Sequence, residues 1–282
     1  MKRPPKGRNL AGIIPLSGRE NTFDLPWPDY LQPLRQGFLS VERSVLECAH
    51  AGCDSIWIVC CDDVAPLVKK RLGDYVMNPR YFEEKDFVKR RQYHEKWIPI
   101  FYTPIPQKIK DKRDSLGWSI LEGSLTSFIV SDKMSQWVRP SKYFVSFPYG
   151  IIQPTIAKKH RDKIRGKESV YYSYGGKTVR ENLYLPFTFD PENWPTFKWN
   201  IKNQCTGGPR SLPAAERWSS RHFSLDKIFN IDTIEIDNLV EVEEYYCLDT
   251  WESLIEFYRS DLKISRPSKQ FMKPYFLHTN EI

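Results

Sequence analysis

Two short apolar runs, separated by an amphipathic stretch, limit what this chain can fold into more than any other feature. The first is LAGIIPL, residues 10–16, closed by Ser17-Gly18; the second is SIWIVCC, residues 55–61. Neither alternates between apolar and polar positions, so each suits a strand covered on both faces, as in the middle of a parallel sheet. Between them Val41, Val45, Cys48 and Ala49 recur at helical spacing, with Ser40 a candidate N-cap and Gly52 a C-terminal stop. A second helix is expected over residues 64–72, capped by Asp62 or Asp63 and ended by Gly73. This is a βαβα opening. In such sheets ligands sit beyond the carboxyl ends of the strands, here near residues 17–21 and 60–63.

The remainder continues the alternation with more irregular parts. Residues 74–96 are densely charged and read as a solvated helix rather than a nucleic-acid patch. WIPIFY, residues 97–102, reads as a third strand, with Pro99 favouring an edge or a bulge. After a basic loop, 108–113, Ser115 can cap a helix carrying Ile120, Leu121, Leu125 and Phe128 on its apolar side. The free N–H groups at that helix start could hold a phosphate or a base; a plain cap fits equally well. Residues 143–147 are another buried strand, closed by Pro148-Tyr149-Gly150. Then come a basic run, KKHRDKIRGK at 158–167, and hairpin-like segments at 170–174 and 183–189 about Gly175-Gly176. A Pro-, Gly- and Trp-rich loop or lid is expected at 194–213, a helix at 214–229 and a strand at 234–242. Asp249-Thr250 marks a strand-to-helix junction, a natural place for a cap or a metal carboxylate. The expected organisation is a flexible basic arm (1–9), a nucleotide-binding α/β core (10–157), an insertion or acceptor/lid region (158–232), a closing strand and helix (233–260) and a tail (261–282).

Composition bounds the function. With 282 residues and 40% hydrophobic content the chain can bury a full core. The net charge of +7 is moderate and reads as a basic surface without a dedicated patch, which leaves nucleic-acid binding through residues 108–113 and 158–167 as an outside reading. The six cysteines form no CxxC pair, and Cys48, Cys53, Cys60 and Cys61 fall in expected core elements. Reduced thiols in a cytoplasmic setting are therefore expected. No run reaches the roughly 18–20 apolar residues of a membrane span, and residues 1–8 are basic without the apolar segment of a secretory signal.

Read in order, the fragments resemble the sugar-phosphate nucleotidyltransferases, the nucleoside-diphosphate-sugar pyrophosphorylases with a glycosyltransferase-A-like α/β fold. PDYLQPL at 28–34 stands in the slot of that family's Pro-Lys-x-Leu-x-Pro-Val segment, and AGCDSIWIV at 51–59 in that of its Ala-Gly helix end and Ile-x-Ile-Val strand, with LGD at 72–74 continuing the match. SLGWS at 115–119 is similar to the base-recognition turn, and LDTWESLIE at 248–256 to the closing Leu-Asp-Thr helix start. The resemblance implies a mixed, mostly parallel central sheet with flanking helices and a β-rich insertion in the C-terminal half. It also implies transfer of a nucleotidyl group from an NTP to a phosphorylated small-molecule acceptor with Mg2+. Arg19 would then act on the phosphates, Ser17, Gly18, Ser115 and Gly117 would bind the nucleotide, and Asp249 would hold the metal, with Asp62 or Asp63 as a substitute second carboxylate.

The chain departs from the family's pattern at the chemistry. Asp29 stands where the family has Lys, Pro148-Tyr149-Gly150 offers no carboxylate where the first metal Asp belongs, and Pro15 and Leu16 thin the Gly-rich loop. A catalytically inactive nucleotide-binding or protein-interaction module is therefore the competing expectation. A glycosyltransferase ranks third, because the strand at 143–147 does not end in a metal carboxylate.

Overall fold

The computed structural model describes residues 9–19, 21–35, 37–79, 97–105, 115–205, 225–229, 238–262 and 264. In chain order the strands are β1 (Leu10–Pro15), β2 (Pro33–Arg35), β3 (Phe38–Leu39), β4 (Ser55–Cys61), β5 (Tyr75–Met77), β6 (Trp97–Ile105), β7 (Lys142–Val145), β8 (Gly150–Ile151), β9 (Tyr171–Ser173), β10 (Phe187–Phe189), β11 (Leu239–Glu241) and β12 (Tyr246–Cys247). The helices are α1 (Ser40–Ala51), α2 (Ala65–Leu72), α3 (Leu116–Met134), α4 (Ile156–Lys159), α5 (Arg161–Ile164), α6 (Trp194–Cys205), α7 (Leu225–Ile228) and α8 (Trp251–Arg259).

The non-alternating runs become the middle of one eight-stranded sheet, ordered β11-β9-β10-β7-β1-β4-β6-β5. β1 is buried at every residue and pairs in parallel with β4 on one side and β7 on the other; β6 continues the parallel set beside β4. β5 and β10 run antiparallel to their neighbours, so the sheet is mixed but mostly parallel at its centre. A Cβ on Gly12 would lie 2.9 Å from Cys48 Sγ of α1, whereas a Cβ on Gly123 of α3 would lie 3.1 Å from Ile13 Cγ2. Neighbouring residues of a strand face opposite sides, so α1 and α3 cover opposite faces of β1. Two glycines let them come close.

Several expected details change. Ser40 is the first residue of α1 rather than its cap; the Glu42 carboxylate accepts from the Leu39 N–H at 2.8 Å, and Ser40 Oγ donates to the Pro148 carbonyl. Neither Asp62 nor Asp63 caps α2. Both are exposed, Val64 precedes the helix without a side-chain cap, and Pro66 in the first turn has no N–H needing a partner. Residues 75–77 are the edge strand β5, not helix, and residues 80–96 lie outside the described residues. Consequently β6 is interior. Pro99 is tolerated because it pairs only with Tyr75 of β5, before the β4 ladder begins at Ile56 and Ile100.

The expected loop at 194–213 begins as α6, in which Phe197 and Ile201 are buried and the Trp194 indole donates to the Leu121 carbonyl at 3.2 Å. Of the helix expected at 214–229 only α7 is described, and of the strand at 234–242 only β11 within it; residues 206–224 and 230–237 lie outside. The segments about Gly175-Gly176 do pair antiparallel, Phe187 opposite Tyr171, and they extend the central sheet. No described helix is long and apolar enough to cross a membrane.

Three side chains of the basic run at 158–167 turn inward, while Lys158, Lys159 and Lys167 are exposed. Arg161 donates to the carbonyls of His50 (2.9 Å) and Ala49 (3.4 Å), Arg165 to that of Gly52, and Lys163 to that of Leu239 (2.8 Å). Two arginines thus close the C-terminus of α1, where carbonyls lack intrahelical partners and the helix dipole is negative.

α1 also carries a buried ion pair that fixes the turn after β7. Arg43 and Glu47 are both essentially inaccessible; Arg43 Nη1 meets Glu47 Oε2 at 3.3 Å, Nη2 donates to the Phe147 carbonyl, and Glu47 accepts from Ser146 Oγ. Burial pushes the Glu47 carboxyl up, against the opposing pull of Arg43 and Ser146. Glu47→Ala strands the guanidinium without this anion and is expected to cost about 3–5 kcal/mol. A urea-denaturation midpoint converting to under about 1 kcal/mol would show that the pair does not hold this turn.

Candidate functional site

Beyond Pro15 the chain leaves β1 but stays tied to β4, because the N–H groups of Leu16 and Ser17 both donate to the Val59 carbonyl, at 2.8 and 3.3 Å. Gly18 follows with φ +99°, and a Cβ there would lie 2.1 Å from the Ser115 carbonyl carbon. Only glycine fits. The contact seats the 17–19 loop directly on the N-terminus of α3, and Ser119 Oγ locks it by donating to the Ser17 carbonyl at 2.7 Å. Ser115 caps α3 by accepting from the Trp118 N–H at 3.3 Å. Ser17, Gly18 and Ser115, far apart in sequence, therefore share one edge. The Ser17 hydroxyl lies 3.1 Å from Cys61 Sγ. Gly117 faces elsewhere: a Cβ on it would meet Ile228 at 2.6 Å and Ile201 at 3.2 Å, so its side packs on α7 and α6.

Arg19 is the centre of the arrangement. Its guanidinium carbon stacks over the rings of Tyr149 (4.5 Å) and Tyr184 (5.0 Å), and its Nη2 donates to Thr22 Oγ1 at 2.8 Å and to the Leu248 carbonyl at 2.6 Å. The same Nη2 forms an ion pair with Asp249. Arg19 is nearly enclosed, its side chain 11% exposed, while that of Asp249 is 38% exposed. Arg19 Nη1 is buried without a hydrogen-bond partner, as is Asp29 Oδ1.

The closing segment delivers Asp249. β12 pairs antiparallel with β8, Cys247 opposite Gly150, and the Leu248 N–H donates to the Tyr149 carbonyl at 2.8 Å. Thr250 takes over capping of α8, its side chain accepting from the Ser253 N–H at 3.2 Å, which frees the neighbouring Asp249 from that role. Burial raises the Asp249 carboxyl above its usual 3.8; Arg19 and the Cys247 thiol pull it back, and Asp29 adds to the rise. Burial likewise pushes Tyr184 up to about 12 despite Arg19, and Tyr149 well above the ordinary phenol value. Both clamping tyrosines are neutral near pH 7.

The departures from the family's pattern are built into this geometry. Tyr149, at the expected carboxylate position, donates its hydroxyl to the Leu16 carbonyl at 2.9 Å and so supports the loop that follows β1. Asp29, at the expected lysine position, is buried and accepts from the Thr22 N–H at 2.8 Å. Among the described residues no group of three or more His, Cys, Asp or Glu is placed to hold a metal. A lone carboxylate does suit a magnesium carried in by nucleotide phosphates, since that ion is commonly held by one or two carboxylates plus phosphate oxygens. Tyr149 and Tyr184 as clamping rings were not legible in the sequence, because an aromatic in a loop carries no positional signal.

No protein-family model and no curated protein matches the sequence. Solved structures match the fold. A Bacillus anthracis protein assigned as a glucose-1-phosphate thymidylyltransferase, solved in complex with a sucrose, superposes with a TM-score of 0.52 at 10% identity, covering 93% of this chain and 98% of that one. A UDP-glucose pyrophosphorylase complexed with UDP-glucose gives a TM-score of 0.52 at 14% identity, covering 89% and 97%. The mixed eight-stranded sheet with helices on both faces is thus the fold shared with these two solved structures.

Two variants test the site's construction. Gly18→Ala combines a left-handed backbone with a clash against Ser115 and is expected to destabilise by about 2 kcal/mol or more; a change below about 0.5 kcal/mol would refute the close approach. For Asp249 the raised folded-state value means that its contribution to stability is present below the unfolded value and lost as pH rises through the folded one. Wild type should therefore lose stability relative to Asp249→Asn as pH rises from the ordinary 3.8 through the raised folded-state value. Relative gain over that range would mean that Arg19 overcompensates the burial.

Proposed function

We propose that this chain is a nucleotidyltransferase-like protein that binds a nucleoside triphosphate over the 17–19 loop and the start of α3, and transfers its nucleotidyl group to a phosphorylated small-molecule acceptor. The observation that carries this reading is the Arg19–Asp249 pair. A carboxylate whose burial opposes its ionisation is kept beside a guanidinium that has one nitrogen without a partner, at the carboxyl ends of the central strands. Such an arrangement is poorly explained by stability and well explained by a ligand.

In this reading Arg19 Nη1 donates to a phosphate oxygen, the clamping rings hold the guanidinium in place, and Ser115 with the α3 start faces the base. An oxygen of the acceptor phosphate forms the new bond to the α-phosphorus, the bond between the α-phosphorus and the bridging oxygen breaks, and pyrophosphate leaves. Magnesium bound with the nucleotide would neutralise phosphate charge, and Asp249 is the residue that would hold it, with Asp29 behind. The sugar phosphate as acceptor and magnesium as the metal rest on the fold and on the resemblance.

A second reading, binding without turnover, is favoured by Tyr149, whose hydroxyl is committed to the Leu16 carbonyl where the pattern calls for a metal carboxylate. A thermal-shift panel of the common NTPs, with and without magnesium, separates the two when followed by a pyrophosphate-release assay with hexose 1-phosphates. A nucleotide at about 100 times its Kd adds roughly 2.7 kcal/mol, a clear shift. Magnesium-dependent stabilisation lost in Asp249→Ala, together with pyrophosphate release, is expected. Stabilisation without release supports the binding module, and no stabilisation by any nucleotide overturns both.

A further inference from the structure

In the ligand-free protein the Arg19–Asp249 pair stands in the way of the ligand it serves. Arg19 is the enclosed member and Asp249 the more exposed one, so an anion arriving from solvent meets the carboxylate first. Arg19 Nη1 is itself buried, and no phosphate oxygen reaches it in this state. A second carboxylate stands behind: Asp29 is buried and accepts from the N–H of Thr22, whose hydroxyl accepts from Arg19. One guanidinium thus faces two carboxylates. A bare polyphosphate brings more negative charge to a place where it is already in excess.

The hydrogen bonds show which member can give way. Arg19 Nη2 meets three acceptors, Thr22 Oγ1, the Leu248 carbonyl and Asp249, whereas Nη1 has none. A guanidinium NH2 carries only two hydrogens. When the carboxylate leaves, Thr22 and Leu248 still satisfy Nη2, and the Tyr149 and Tyr184 rings still hold the guanidinium. Thr250, not Asp249, caps α8, and the Cys247 thiol that also donates to Asp249 is a weak donor. The Asp249 side chain can therefore turn away without leaving a strong donor unsatisfied. It needs only another cation to turn to.

We infer that Asp249 stands in for the ligand's phosphate in the ligand-free protein, as a latch that keeps bare phosphates from Arg19 and yields when a divalent cation engages the carboxylate. Cation and polyphosphate then bind with positive coupling, because each removes the charge that opposes the other. The inference rests on the nucleotide reading for the ligand's identity, while the latch itself acts on any polyphosphate. It differs from a plain metal-holding role in one respect: Asp249 opposes the anion when no metal is present.

Isothermal titration calorimetry on the full chain at fixed ionic strength tests this with inorganic tripolyphosphate and the common NTPs, each with magnesium or with excess EDTA. In EDTA, wild type should bind tripolyphosphate at least about tenfold more weakly than Asp249→Asn and Asp249→Ala, and magnesium should tighten binding in wild type only. Glu252→Gln, which removes an equal charge from an exposed position on α8, should stay within about twofold of wild type. Arg19→Gln should lose binding in both conditions, and thermal midpoints certify that each variant is folded. Equal affinities of wild type and both Asp249 variants in EDTA, or no measurable binding by any of them, overturn the latch, even where magnesium with an NTP binds wild type and the nucleotide reading stands. Tripolyphosphate behaving as stated while no NTP binds overturns the nucleotide reading instead.

Discussion

Everything in this molecule depends on β1 being squeezed from both faces. A strand buried at every residue needs a close helix on each side, and the two approaches are made at glycines, Gly12 opposite α1 and Gly123 of α3 opposite Ile13. Close packing at this point fixes where α3 begins relative to the end of β1. The loop after β1 then has no freedom: it must pass over the N-terminus of α3, and Gly18 is the residue that lets it. The packing of the core sets where the Arg19 backbone lies, and its contacts with Tyr149, Tyr184, Thr22 and Asp249 then hold the guanidinium.

The centre of the fold was readable because its signals are local. The unbroken runs at 10–16 and 55–61, Gly52 in the left-handed cap position and Ser115 capping α3 each have a short-range physical cause, and each is realised. The misreadings also have local causes. Pro195 obscured the helical spacing of Trp194, Phe197 and Ile201, although proline is well tolerated in a first helical turn. Charge density over 74–96 suggests helix, but its first residues carry little charge, and Val76 and Met77 are buried in a short antiparallel edge strand. At the site, the start of α3 shares an edge with the 17–19 loop, as its position after the basic loop suggests, whereas Gly117 turns away to Ile228 and Ile201 and the Arg19–Asp249 pair has no signal in the sequence. The roles of Tyr149 and Tyr184 have none either, because they arise from segments joined only in three dimensions.

The substitutions at the family's chemical positions are coordinated rather than scattered. Tyr149 replaces a carboxylate and props the loop through Leu16, and its ring also carries Arg19. Asp29 replaces a cation and organises the backbone at Thr22, next to the hydroxyl that Arg19 engages. The aromatic clamp fixes the position of the guanidinium, and its charge is met by Asp249.

The arginines that close α1 bear on how strongly basic the surface really is. Arg161 and Arg165 reach inward to the carbonyls of Ala49, His50 and Gly52, and Lys142 likewise spends its ammonium on the carbonyls of Gly166 and Glu168. A side chain so committed cannot also displace counterions from a polyanion without uncapping a helix or a turn. Arg161, Arg165 and Lys142 keep their charge but are not available for release-driven association. In polyelectrolyte terms, these three cations belong to the scaffold and not to the ion atmosphere.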